Sequence, residues 1–120
     1  MANEITVSTS LQLANGKLIV NSINGGFQAD QATAKGGGPG TVDVGTSEQT
    51  IDFGDIAPGF VELRNLDDTN FVELGFSTGV YGIRLIADGG PALFYLNTGA
   101  TLYAKADTAG CAVQITAVNS

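Results

Sequence analysis

The first stretch of the chain alternates between apolar and polar residues. A period of two is typical of a β-strand with one buried face, because successive side chains point to opposite sides of a strand. The apolar positions of this alternation are Ile5, Val7, Leu11 and Leu13. We therefore predict a strand near the start of the chain that carries these side chains on one face.

A hairpin turn is predicted directly after this strand. Asn15-Gly16 favours a type I′ turn, since both residues accept the positive φ that such a turn requires, and residues 17–21 suit a return strand. The expected register places two apolar pairs opposite each other, Leu13 with Leu18 and Leu11 with Val20. Residues 1–26 are thus expected to form an N-terminal β-arm.

The next segment has few large apolar side chains and contains the string GGGPG. Gly and Pro at this density interrupt regular elements. We therefore predict a Gly-rich flexible loop over residues 27–49. It is either a mobile surface loop or a segment that becomes ordered when a partner covers it.

Strand patterns resume after this segment at the even spacing of an antiparallel sandwich. Turns rich in Gly, Asp and Asn separate short apolar segments at 50–53, 60–66, 71–76, 80–86, 92–96, 101–106 and 111–118. With the arm, about nine strands favour an antiparallel β-sandwich of jelly-roll or related Greek-key type. Residues 50–120 would form its body, and the whole all-β chain would be one domain.

The tetrapeptide FVEL occurs twice, eleven residues apart. This spacing is too short for a structural repeat, so we interpret the two copies as the sides of one hairpin with a four-residue loop, Asp67–Asn70. A shorter loop would set Glu62 against Glu73, a like-charge pair that disfavours it. The side chains expected to share the core face are Val61, Leu63, Val72, Leu74 and Phe76.

The opposite face of this predicted hairpin carries three large apolar residues among charged ones. Either another part of the chain covers them, or a neighbouring subunit does. Together with the arm they make up our candidate partner-interface residues, which are Ile5, Val7, Leu11, Phe60, Leu66 and Phe71.

Charge and hydropathy exclude several classes of partner. Twelve acidic residues against five basic ones give a net charge of -7, which would repel a phosphate backbone, so we expect no nucleic-acid partner. No apolar run is long enough for a membrane span, and the start of the chain lacks a signal-peptide pattern. We expect a soluble protein made in a cytoplasm.

Residues suited to catalysis are scarce. The chain has no histidine and one cysteine, which leaves neither the commonest general base nor a zinc site. Asp52, Asp55, Asp67 and Asp68 are expected to bond turns rather than to bind calcium or catalyse. Cys111 begins an apolar alternation and is expected in the core. We predict neither an enzyme nor a cofactor.

Three blocks of the sequence resemble one protein family. They are MANEITVSTSLQLANGKL, IDFGDIAPGFVELRNLDDTNFVELG and NTGATLYAKADTAG. Together they resemble the small capsid decoration, or cement, proteins of tailed bacteriophages. The string L-R-N-L-D-x-T-N is the most specific part of this resemblance.

The resemblance implies a structural virion protein that binds the outside of a phage head. Its partner would be the major capsid protein, whose neighbouring subunits it would clamp, commonly as a homotrimer. Assembly would take place in the cytoplasm of the host bacterium. Two alternatives remain at this point: a neck or tail protein of the virion, and a carbohydrate-binding module that uses Tyr81, Tyr95 and Tyr103.

Overall fold

The computed structural model describes residues 3–119. This range contains ten β-strands and no helix, and therefore no helix able to span a membrane. The strands are β1 Ile5–Asn15, β2 Leu18–Ala29, β3 Gly36–Val44, β4 Gln49–Thr50, β5 Pro58–Asn65, β6 Val72–Gly75, β7 Ile83–Leu85, β8 Pro91–Tyr95, β9 Tyr103–Ala106 and β10 Cys111–Asn119. The chain divides into two compact units, the first ending at Ala34 and the second beginning at Lys35.

The first unit is a two-stranded antiparallel sheet of β1 and β2, called the hairpin below. Its turn differs from the prediction, because Asn15 pairs with Leu18 and leaves Gly16-Lys17 as the two-residue loop. Gly16 has a φ of 58°, whereas Asn15 keeps a negative φ. This geometry fits a type II′ turn, which takes Gly at its first central position, instead of the predicted type I′ turn.

The predicted cross-strand pairs of the hairpin are therefore wrong. Leu13 faces Val20 instead of Leu18, and Leu11 faces Ser22. The difference amounts to two residues along β2. Because side chains alternate with a period of two, a shift of two residues keeps every side chain on its predicted face. The apolar face of β1 is thus formed as expected although its partners are different.

The second unit, called the body, contains two four-stranded antiparallel sheets. Sheet 1 has the order β3-β10-β5-β8 and sheet 2 the order β4-β9-β6-β7. Both sheets contribute to one hydrophobic core, an arrangement consistent with a β-sandwich. The fully buried large apolar side chains of this core are Val44, Val61, Leu63, Val72, Leu74, Leu85, Leu102, Val113 and Ile115. The expectation of an all-β antiparallel fold is confirmed.

The two FVEL copies do not form a hairpin. In the structure β5 pairs with β10 and β8, whereas β6 pairs with β7 and β9. The two strands therefore lie in different sheets, and the chain crosses between the sheets after Asn65. Both edges of each strand already have hydrogen-bonded neighbours, so β5 and β6 cannot also pair with each other.

The predicted core of these two strands is nevertheless nearly correct. The first copy directs Val61 and Leu63 inward and the second directs Val72 and Leu74, all of them fully buried. Alternation within each strand gives the same inner face in either arrangement. Phe76 is the exception, because its side chain is 49% exposed just beyond the end of β6.

The prediction of a flexible loop over 27–49 is wrong for its centre, where β3 pairs with β10. Gly and Pro are tolerated here because β3 lies at the edge of sheet 1, where one side of the strand needs no hydrogen-bonded neighbour. Gly36 is also required by space, since a Cβ there would lie 2.8 Å from a methyl carbon of Val118. The Val42 and Val44 alternation was the available strand signal, and Val44 is buried.

Candidate interaction surfaces

One face of the hairpin carries apolar side chains at most of its positions and the polar residues Thr9, Asn15, Ser22 and Asn24 at the others. Residues directly opposite each other in a sheet share a face, so the register of β1 and β2 defines its members. Its large apolar members include the predicted interface residues of β1 and are Ile5, Val7, Leu11, Leu13, Leu18, Val20 and Phe27. We call this set the apolar face. Leu11 at its middle is 73% exposed.

Phe27 belongs to the apolar face although the sequence analysis assigned it to the loop. The pairing shifts between Val7, which faces Phe27, and Thr9, which faces Asn24. The extra residue lies in Gly25-Gly26 of β2, and Gly26 has a φ of 81°, as in a glycine-type β-bulge. The bulge interrupts the alternation in the sequence and so concealed this position.

The charged groups of the hairpin lie at its two ends. Lys17 is in the turn and is the only charged residue between positions 5 and 29. Glu4 and Asp30 flank the open end, where Glu4 Oε1 accepts a hydrogen bond from the Gln31 amide at 2.9 Å and Asp30 Oδ1 accepts one from the Asn3 amide at 2.7 Å. The hairpin is therefore positive at one end, negative at the other and uncharged between.

The three candidate interface residues of the body do not form one surface. Phe60 packs edge-to-face on Tyr95, with 5.0 Å between ring centroids, on sheet 1. Phe71 precedes β6 of sheet 2 and lies under the guanidinium of Arg84, whose Cζ is 3.9 Å from the ring centroid. Leu66 follows β5 and is 48% exposed. Their predicted grouping on one hairpin face is wrong, because it depended on pairing β5 with β6.

The string L-R-N-L-D-x-T-N forms the crossing between the two sheets. Asn65 within it is buried, and its Nδ2 donates to the carbonyls of Asn70 at 2.9 Å and Leu85 at 3.1 Å. Its Oδ1 accepts a hydrogen bond from the Asp67 amide at 3.0 Å. Both the nitrogen and the oxygen of the buried Asn65 amide are thus hydrogen-bonded, and these bonds fix the backbone of the crossing. Leu63 and Asn65 of this string are buried, whereas Leu66 is 48% exposed, so the string is part of the fold but only some of its side chains face inward.

Asp67 and Asp52 bond turns as expected, whereas Asp55 forms an ion pair with Lys35 at 3.3 Å and Asp68 Oδ1 accepts a hydrogen bond from the Thr69 hydroxyl at 2.8 Å. Asp67 Oδ2 accepts hydrogen bonds from the amides of Asn70 at 2.6 Å and Thr69 at 3.0 Å, and these two bonds lower the pKa of the Asp67 carboxyl. Asp52 Oδ1 accepts one from the Gly54 amide at 2.8 Å. Both are turns closed by an aspartate side chain. Within residues 3–119 no cluster of three or more His, Cys, Asp or Glu side chains is suited to a metal ion.

Cys111 is buried, as predicted, at the start of β10. Burial raises the pKa of its thiol, with smaller contributions from the negative charges of Asp67 and Asp107. A thiol with a raised pKa is a poor nucleophile, because the thiolate is the reactive form. Cys111 therefore serves packing in this structure.

The three tyrosines considered for sugar stacking are distributed over the body. Tyr95 is exposed on sheet 1, whereas Tyr103 is half-buried on sheet 2. Tyr81 is half-buried and donates its hydroxyl to Glu48 Oε1 at 2.5 Å. Because Tyr95 and Tyr103 belong to different sheets, they do not make a shared stacking platform.

Comparison with protein-family models, with curated proteins and with solved structures finds no match to this chain.

Proposed function

We propose that this chain is a structural virion protein, a capsid decoration or cement protein that binds the outside of a phage head. The observation that carries the proposal is the hairpin, which has an uncharged, largely apolar face and whose two strands, among the described residues, pair only with each other. Such a surface is suited to contact with other proteins. The class of protein, a capsid decoration protein, is proposed from the resemblance of the three sequence blocks described above.

The body is proposed to be an eight-stranded jelly roll. The orders β3-β10-β5-β8 and β4-β9-β6-β7 support this assignment, because every connection between consecutive strands passes to the other sheet except that from β6 to β7. This wrapping is expected when two Greek keys form a double sheet. Jelly rolls occur in viral capsid proteins and in lectins, so the fold alone does not select a function.

Binding to the shell would use the outer edges of the hairpin. Within residues 3–119, β1 and β2 pair only with each other, so each has one edge without a strand partner. An edge of this kind can extend a sheet of the major capsid protein by strand addition. A protein that binds only the assembled shell adds its binding free energy to that state and thereby stabilises neighbouring capsid subunits.

The proposed location is the outer surface of the virion, after assembly in the bacterial cytoplasm. The homotrimer implied by the resemblance remains a prediction. A neck or tail position is the second candidate, because the same hairpin edges could extend a sheet there. We do not propose a carbohydrate-binding module, since the tyrosines that would carry it do not share a platform.

Cosedimentation with heads lacking decoration protein tests the proposal. The purified protein is titrated into such heads, which are then pelleted, and the bound copies per capsid subunit are counted. We expect saturation at a fixed ratio to capsid subunits and a higher melting temperature of the heads. Binding of only a few copies per particle would indicate the neck, and absence of binding to heads would reject the cement function.

A further inference from the structure

We infer that Asn15 is a site of spontaneous deamidation, where the side-chain amide becomes a carboxylate without the action of an enzyme. The site is the Asn15-Gly16 pair at the closed end of the hairpin. The inference is independent of the proposed function, because the reaction needs only the chain itself and water. Its product is a protein with an aspartate or an isoaspartate in the turn between β1 and β2.

Deamidation proceeds through a five-membered cyclic imide. The main-chain nitrogen of Gly16 bonds to Cγ of Asn15 while the Cγ–Nδ2 bond breaks, and the departing nitrogen takes up the Gly16 amide proton and leaves as ammonia. Water then opens the ring. Cleavage between the Gly16 nitrogen and Cγ gives aspartate, whereas cleavage between this nitrogen and the main-chain carbonyl carbon of Asn15 gives isoaspartate. One water is consumed, one ammonia is released, and no group is oxidised or reduced.

No side chain obstructs the attacking nitrogen at this site. Ring closure requires the Gly16 nitrogen and the Asn15 Cγ to approach to about 3–3.5 Å, and a side chain on the attacking residue hinders that approach. Gly16 has none, and nothing lies within 4 Å of the position that a Cβ would occupy. Apart from Asn24, every other asparagine of the chain precedes a residue with a side chain. Asn15 and Asn24 are therefore the two candidates.

The Gly16 amide also lies outside the hydrogen-bonded ladder. Gly16 is the second residue of the turn that Asn15 and Leu18 close, and a β-turn bonds the carbonyl of its first residue to the amide of its fourth. The amide of the second residue is left to the solvent and can lose its proton. Gly89 in the body, which follows an aspartate, is the opposite case, because its amide donates to the Asn65 carbonyl at 2.8 Å.

The position in the hairpin separates Asn15 from Asn24. Asn24 lies within β2, where it pairs with Thr9 and its Nδ2 donates to Ser22 Oγ at 3.3 Å. Turning its backbone towards ring closure must open the hairpin between paired segments. Asn15 is the last residue of β1, so the same rotation opens only the terminal pair. Local opening costs less free energy at ends and loops than within an element, which favours reaction at Asn15.

The reaction changes both the charge and the length of the turn. One neutral amide becomes a carboxylate, which adds a negative charge to the net charge of -7. Isoaspartate also adds a carbon atom to the main chain just before Gly16-Lys17. Because loop length fixes the register of a hairpin, the isoaspartate form should lose the pairing of position 15 with Leu18.

Peptide mapping of the full-length protein after incubation in mildly alkaline buffer tests the inference. Trypsin cleaves after Lys17 and Lys35, so the two Asn-Gly pairs fall in different peptides, 1–17 and 18–35. We expect peptide 1–17 to deamidate at least about threefold faster than peptide 18–35, because the end of the hairpin opens more easily. Fragmentation of peptide 1–17 should place the new carboxylate at Asn15 and not at Asn3.

Two variants and an isotope serve as controls. In water enriched in oxygen-18, solvent oxygen enters each carboxylate that forms during the incubation, which distinguishes it from earlier deamidation. Gly25→Ala obstructs ring closure at Asn24, its Cβ would lie at an ordinary 3.6 Å from Ser8 Oγ, and it should leave the rate at Asn15 unchanged. Asn15→Gln should lower the rate in peptide 1–17 at least about tenfold, since glutamine must close a larger ring.

Denaturant shows whether the fold causes the difference between the two sites. In the unfolded chain both Asn-Gly pairs are unrestrained, so the two peptides should deamidate at similar rates. Three results would overturn the inference: the same ratio of rates with and without denaturant, a faster reaction in peptide 18–35 of the folded protein, or no reaction at Asn15 of the folded protein while the unfolded chain reacts completely.

Discussion

The side-chain amide of Asn65 donates a hydrogen bond to the main-chain carbonyl of Leu85 over 3.1 Å. Asn65 ends β5 of sheet 1 and Leu85 ends β7 of sheet 2, so this bond connects the two sheets at one end of the body. The same nitrogen binds the carbonyl of Asn70, which lies just before β6. One buried side chain thus bonds residues on both sides of the point where the chain leaves one sheet for the other.

We predict that Asn65→Leu destabilises the body by roughly 3 kcal/mol, because it removes all three hydrogen bonds of the Asn65 side chain, of which the one to the Leu85 carbonyl is buried. Denaturant unfolding measures this change. Asn97→Leu is the matched control, since Asn97 is exposed in a turn, and it should alter the free energy of unfolding by less than about 0.5 kcal/mol. Equal effects of the two substitutions would show that the Asn65 network is dispensable.

Position 75 has no room for a side chain, so only glycine fits there. A Cβ on Gly75 would overlap the carbonyl oxygen of Val80 and lie 3.1 Å from the Cα of Tyr81. We expect Gly75→Ala to cost at least about 2 kcal/mol, because the obstacle is backbone and cannot rotate away. Gly82→Ala, where a Cβ meets nothing within 4 Å, should be nearly neutral in the same thermal unfolding measurement. A neutral Gly75→Ala would contradict the described path of the turn.

The hydrogen bond between Tyr81 and Glu48 should make the free energy of unfolding depend on pH in acidic solution. The hydrogen bond from Tyr81, followed by that from the Gly79 amide, lowers the pKa of the Glu48 carboxyl below its ordinary value. A group with a lowered folded pKa stabilises the protein above its ordinary pKa and loses that contribution as pH falls through the folded pKa. The stability difference between the native protein and Tyr81→Phe should therefore shrink as the solution is acidified below about pH 4.5.

The same hydrogen bond should also affect the ionisation of Tyr81 at alkaline pH. The hydrogen bond to Glu48 is the largest cause that raises the pKa of Tyr81 to about 12, from an ordinary value of 10.0. A raised folded pKa gives a contribution that is complete below pH 10 and is lost as pH rises towards 12. In an absorbance titration, the Tyr81 phenol should ionise at lower pH in Glu48→Gln than in the native protein. An unchanged titration would exclude the hydrogen bond in solution.

Phe71 and Arg84 should be energetically coupled. The guanidinium lies over the ring at 3.9 Å, a cation–π contact. A double-mutant cycle with Phe71→Leu and Arg84→Met should give a coupling of about 0.5–1 kcal/mol at such a partly exposed site. Arg64 on sheet 1 offers a control cycle with Phe71, which should give a value near zero. Similar coupling in both cycles would mean that no specific contact exists.

Local patterns of the sequence predicted the inner and outer faces of individual strands. Alternation placed Ile5, Val7 and Leu11 on one side of β1. It also placed every second residue of β10, beginning with Cys111 and Val113, in the core. It succeeded because side chains alternate within a strand whatever lies beside it. Turn chemistry likewise located the breaks between the strands of the body.

Pairing between strands was predicted less well. The sequence does not show that the turn after Asn65 crosses between sheets, because Asp and Asn suit a crossing as well as a hairpin. β3 was missed because its glycines and proline have low strand propensity. In the folded chain, hydrogen bonds to the edge of β10 stabilise the strand in spite of that low propensity. Phe27 was missed because the bulge at Gly25-Gly26 interrupts the alternation.

The sequence by itself therefore determined which side chains are apolar, which face of each strand they share and where the chain turns. Only the tertiary structure decided which strands are neighbours, since hydrogen bonds between distant strands depend on available edges and not on the residues of one strand. The candidate interface illustrates this division. Leu11 lies on a face that alternation alone defines, whereas Phe60 and Phe71 are assigned to different sheets by the pairing of β5 and β6.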